Sequence, residues 1–228
     1  MSAEILPAAV FVVAAAFSAI LANQYRTRRR PYQLVWCFSL ALGAVAALAF
    51  VVFLAADRNL LAFRLYYACG ALLMAAYLGL GSVYLHAPRR VAGATALSVM
   101  ALSVVGLILL FTTPVPAAPL HASNVEAGTR LVSGAVVAFI AILNAFGAIA
   151  VIGGALYSAW RLIRGQGPPR LLVANVLIAG GTILASLAGT LARVTSSGAA
   201  FWGLLAAGFI VLFAGFLFTL PRRVRALP

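Results

Sequence analysis

The sequence predicts an all-α polytopic membrane protein, a bundle of seven transmembrane helices with the N-terminus outside and the C-terminus in the cytoplasm. Composition is the first reason. Of 228 residues, 65% are apolar and only 8% are charged, whereas soluble domains carry about a quarter charged residues. Segmentation is the second. The apolar residues fall into seven windows, each long enough to cross roughly 30 Å of hydrocarbon at about 1.5 Å per residue. The third is the placement of cations, because arginine gathers at alternate window ends and lysine does not occur at all.

The first span is expected at 5–23. It lacks the basic leader and small-residue cleavage site of a signal peptide, so it is expected to stay in the mature protein. Arg26, Arg28, Arg29 and Arg30 stop it at the surface, and Pro31 marks the turn into span two, 33–55, with Trp36 at the depth of an interfacial aromatic belt. Asp57 and Arg58 end that span. Span three, 60–85, carries Arg64 one turn inside and closes at His86, Pro88, Arg89 and Arg90. Span four covers 91–111. The connection 112–123 holds Pro114, Pro116 and Pro119, which excludes helix interior and central strand. Ser123 and Glu126 then have the spacing of a capping box, with Arg130 four residues beyond Glu126, so span five is expected over 125–160. Span six covers 170–193 and span seven 199–220, ended by Pro221 ahead of Arg222, Arg223 and Arg225.

Twelve arginines follow spans one, three, five and seven. The other side holds Arg58, Arg64, Arg130 and Arg193 against Glu4, Asp57 and Glu126, a net of one that completes the formal charge of +13. Cytoplasmic loops carry the excess of cations, which sets the orientation. The same placement argues against nucleic acid as a partner, since the arginines end apolar windows and no nucleic-acid-binding module is present. They face anionic lipid headgroups instead, with Arg26, Arg28, Arg29 and Arg30 as the main cluster.

Chemistry-bearing residues are few. The three carboxylates fall at or beyond the outer surface, so no proton relay is expected at depth. His86 and His121 belong to opposite sides and cannot share a haem or a metal. Neither enzyme activity nor a cofactor or metal is expected. Cys37 and Cys69 lie at different depths and read as packing residues. Ala71, Ala75 and Gly79, and likewise Gly203 and Ala207, repeat at four-residue spacing, and Gly153, Gly154, Gly180, Gly181, Gly208 and Gly215 add flat faces. Such positions let backbones approach closely.

Six residues are candidate ligand contacts. Arg64 is the one cation expected within the membrane itself, with Tyr66 and Tyr67 just below it. Its alternative is to snorkel to the surface and pair with Asp57, and that of the tyrosines is interfacial anchoring. Asn144, Thr182 and Ser186 are polar near mid-membrane, where the alternative is interhelical hydrogen bonding at about 0.6 kcal/mol per contact. Asn175 lies nearer the inner side.

Seven spans with an outside N-terminus resemble the microbial rhodopsins in architecture, but without lysine there is no attachment point for retinal. The layout from Arg28 to Arg223 resembles more closely the seven-transmembrane input regions at the N-terminus of bacterial sensor histidine kinases. The matching parts are Arg28, Arg29, Arg30 with Trp36, then Phe63 to Tyr67, then Trp160 to Arg164 leading through Gly167 to Arg170. The resemblance implies a sensor or receptor with an outward-facing pocket for a small ligand. With eight residues after Leu220, signalling is expected to pass through a separate partner. The alternatives are a small-solute transporter of three-plus-one-plus-three type, in which the turns at 28–31 and 164–169 correspond, and a structural membrane subunit.

Reporter fusions check the orientation. A cytoplasm-dependent reporter should be active at Pro228 and silent in the 114–119 loop, and activity in that loop would overturn the assignment.

Overall fold

The computed structural model describes residues 4–115, 131–165, 167–195 and 197–220, of which 192–195 as backbone only. It is helical, without a strand among the described residues, and seven helices are long and apolar enough to cross a membrane. They are α1 (Ile5–Arg28), α2 (Pro31–Ala55), α3 (Leu60–His86), α4 (Arg89–Thr112), α5 (Gly134–Arg164), α6 (Pro169–Thr195) and α7 (Gly198–Thr219).

Helix ends follow from local chemistry. Arg29 takes a left-handed conformation at φ 50° and returns its N–H to the Tyr25 carbonyl, which ends α1. Pro31 opens α2 at a first-turn position, where its missing N–H has no partner to lose. Asp57 and Arg58 both have positive φ, and the Asn59 side chain then caps α3 by accepting from Leu61 and Ala62 N–H. Ser133 caps α5 and Ser197 caps α7 in the same way. Helix α5 therefore starts later than the expected 125, because 131–133 are not helical and Ser133 supplies the cap. The Ser123–Glu126 capping box lies outside the described residues, as do Pro116, Pro119, His121, Arg130, Arg222, Arg223 and Arg225.

Six helices form a ring. Helix α1 packs on α2, α2 on α3, α3 on α5, α5 on α6, α6 on α7, and α7 returns to α1. Helix α4 lies outside it, against α3 and α5, and exposes Leu97, Met100, Val104 and Ile108 where hydrocarbon would cover them. Arginines 26, 28, 29, 30, 89, 90, 161 and 164 are exposed at the end bearing the α1–α2, α3–α4 and α5–α6 turns. Glu4 and Asp57 lie at the opposite end.

Two seams bring backbones together through glycine. A Cβ on Gly147 of α5 would collide with the Ala75 carbonyl of α3, and one on Gly79 would sit 2.7 Å from the Gly147 Cα. Ala71, Ala75 and Gly79 thus form a stripe that meets α5. Between α6 and α7, a Cβ on Gly208 would lie 2.7 Å from the Ala185 nitrogen, and one on Gly215 would lie 2.9 Å from the Ala174 carbonyl. Gly153, Gly180 and Gly203 face open space, so the expected Gly203–Ala207 pair does not bring helices together. Trp36 also has a packing role. Its indole N–H donates to the Leu78 carbonyl at 3.0 Å, over Gly81, and so ties α2 to α3. Cys37 and Cys69 are free thiols.

Gly147→Ala should destabilise the bundle by about 1–3 kcal/mol, the usual cost of forcing volume into a full site. Gly153→Ala should leave it unchanged. Thermal unfolding in detergent separates the two, and equal midpoints would contradict the close approach of α3 and α5.

Candidate functional site

The centre of α3 is not regular α-helix. Over Tyr67–Met74 the helix is wound as a π-helix, with i→i+5 bonding. A π-helical turn is a wider, less common winding, and here neighbouring helices brace it. Two polar side chains do this. Ser39 of α2 donates to the Met74 carbonyl at 2.6 Å, and Asn144 of α5 donates to the Ala71 carbonyl at 2.6 Å. Asn144 is therefore an interhelical bridge. Sequence reading found the asparagine but missed Ser39 and the π-helical turn that both residues clamp, since the stretch Tyr67–Met74 carries no proline to mark it.

Beside this segment a cavity of about 430 Å³ occupies the ring. It lies in the half away from the arginine end. Its walls come from the first halves of α3, α5 and α7, the second half of α6 and the middle of α2. Most of the lining is Ala, Gly, Val and Leu, and the side chains there are too short to fill the ring. Along its α5 and α6 walls, Ala141, Ala145, Ser186 and Thr190 are exposed, so the cavity is not sealed. Toward the arginine end the ring is filled. Phe17 meets Phe213 and Phe216 at centroid distances of 5.0 and 4.6 Å, and Ser18 donates to the Cys37 carbonyl.

Five of the six candidate residues, Tyr66, Tyr67, Asn144, Thr182 and Ser186, line this one cavity. The tyrosines are not interfacial. They are 6% and 5% exposed and belong to an aromatic cluster, with Tyr66 at 5.0 Å from Phe50 and 6.0 Å from Trp202. Trp202 lines the cavity as well, with its indole N–H buried and unpartnered. Nothing in the sequence distinguished it from an apolar anchor.

Arg64 stands apart. It is absent from the cavity wall, and its Nη2 donates to the Thr113 carbonyl at the end of α4 while its guanidinium lies over Phe111 at 5.7 Å. It makes no ion pair with Asp57. The arginine thus snorkels sideways, tying the peripheral helix to the ring instead of reaching a ligand.

A second, smaller hollow of about 280 Å³ opens at the arginine end, where His86 meets Ser158 at 2.8 Å and Arg161 and Asn175 join the lining. Asn175 spends an amide proton on the Leu171 carbonyl of its own helix. Among the described residues no group of three His, Cys, Asp or Glu side chains could hold a metal ion. No protein-family model, curated protein or solved structure matches the chain.

Ser39→Ala and Asn144→Ala should each lower stability by about 0.6–1.7 kcal/mol, the range found for interhelical bonds in membranes. Both hold one π-helical segment, so the double variant should depart from additivity. Unfolding of the two single variants and the double variant measures this, and strict additivity would mean that the clamps act independently.

Proposed function

We propose that the chain is a receptor-like membrane protein of the sensor type, which binds a small ligand in the ring cavity and signals through a separate partner. In this reading it sits in a bacterial plasma membrane with its N-terminus outside and its C-terminus in the cytoplasm, so that the cavity lies in the outer half. Arg26, Arg28, Arg29 and Arg30 then meet anionic headgroups of the inner leaflet, at about 1 kcal/mol per cation near the surface.

One observation carries this reading. The bundle keeps a volume of about 430 Å³ empty and directs polar side chains of α5 and α6 to its wall. Small-molecule sites have this character, being concave, mostly apolar and about 300–1,000 Å³ in volume. The filled half toward the arginines is compatible with a receptor, which needs one way in. A carrier would also need to empty on the other side.

Native mass spectrometry of gently extracted protein should find a small molecule retained by the wild type and lost from Ala145→Trp, whose indole would fill the cavity. Movement of that molecule, isotopically labelled, across proteoliposomes would instead make the protein a carrier. Copurification of another membrane protein, with no small molecule held, would make it a structural subunit.

A further inference from the structure

The hydrogen-bonding state of the cavity wall selects a ligand class. Asn144 spends both amide protons on carbonyls, Ala71 at 2.6 Å and Ile140 at 2.8 Å. That also fixes which way the amide points, because the reversed group would set Oδ1 against two carbonyl oxygens. Oδ1 is left as an acceptor with no donor among the described residues. Thr182 donates its hydroxyl proton to the Ile178 carbonyl at 2.7 Å, and Ser186 donates to the Thr182 carbonyl at 2.8 Å. Each hydroxyl therefore turns lone pairs, not a proton, outward.

Donors are scarcer. The Trp202 N–H is buried without a partner, and the Tyr66 and Tyr67 rings are almost wholly buried in the aromatic cluster. Thr190, one turn beyond Ser186 at the rim, is the hydroxyl that can take either role. A ligand that only accepts hydrogen bonds would find little to meet, and one that donates would find several acceptors.

Charge narrows the class further. Among the described residues no carboxylate lines the cavity, so an ammonium would lose hydration with no counter-charge there. That penalty is several kcal/mol and exceeds what a few neutral acceptors return. Among the described residues no cation lines the wall either, Arg64 lying outside it, so an anion would face the same lone pairs.

We infer that the cavity is selective for an uncharged, largely apolar molecule whose polar group is a hydroxyl, held by Asn144 Oδ1 with Thr182 and Ser186 as further acceptors. The assignment rests on the receptor reading of the same cavity. It adds the chemical class of the occupant.

Four probes with the same apolar chain test it: 1-decanol, decyl methyl ether, decylammonium and decanoate. Each is titrated onto the protein in lipid nanodiscs, and the concentration that half-saturates the rise in unfolding midpoint is read. Decanol should half-saturate roughly two- to tenfold below its methyl ether, the ratio one net hydrogen bond supplies. The two charged probes should be weakest. Asn144→Leu should abolish the preference for alcohol over ether. Ser186→Ala, which leaves the α3 clamp intact, should reduce it. Because the readout is a ratio within each variant, loss of basal stability does not enter it. Equal binding of alcohol and ether by the wild type, or tightest binding of a charged probe, would overturn the assignment while leaving a receptor cavity in place. If every probe acted equally on wild type and on Ala145→Trp, the probes would be in the surrounding lipid and the cavity reading itself would fail.

Discussion

Backbone carbonyls inside a membrane have no water to fall back on, and each one left open costs several kcal/mol. Ordinary α-helices meet this constraint within themselves. Helix α3 meets it with a different ladder, i→i+5 over Tyr67–Met74, and receives side-chain donors there as well. The Ser39 hydroxyl and the Asn144 amide take up the Met74 and Ala71 carbonyls from opposite sides. This places α2, α3 and α5 relative to one another, and the cavity lies directly alongside. Asn144 is thus a structural clamp through its nitrogen and an open acceptor through its oxygen.

Small residues have two opposite effects in this bundle. Where two of them face each other, as at Gly79 and Gly147 or Gly181 and Gly208, helices close to backbone contact. Where they face the ring axis, as at Ala71, Ala141 and Ala145, no side chain crosses and space remains. Lipid-exposed packing has no hydrophobic driving force of its own, so tight seams must offset what the empty volume costs. The α6–α7 seam and the α3–α5 crossing stand on either side of the void.

Most of the architecture was legible because the signals are local. Seven apolar windows, their arginine stops and Pro31 all lie in short stretches, and the helices follow them closely. Asn144, Thr182 and Ser186 were legible as candidates for a related reason: polar residues are rare in apolar runs, and each stands out alone. What escaped depends on contacts distant in sequence. That Arg64 reaches Phe111 of α4 and the Thr113 carbonyl just beyond it could not be read from the sequence. Ser39 and Trp202 gave no sign, because their roles follow from a carbonyl on another helix and from a buried ring cluster. The start of α5 is set by Ser133, a single cap that the sequence pattern did not single out.

Ring closure sets a constraint on biogenesis. Helices α1 and α2 are joined by two residues and can leave the insertion machinery as a hairpin, but α1 keeps its Phe17 face unpartnered until α7 supplies Phe213 and Phe216. The Asn144–Ala71 bond spans 73 positions of chain. The Asn144 amide and the Phe17 face thus find their final partners only when distant helices meet. The pocket is the last part of the molecule to exist, and it appears only when first and last helices meet.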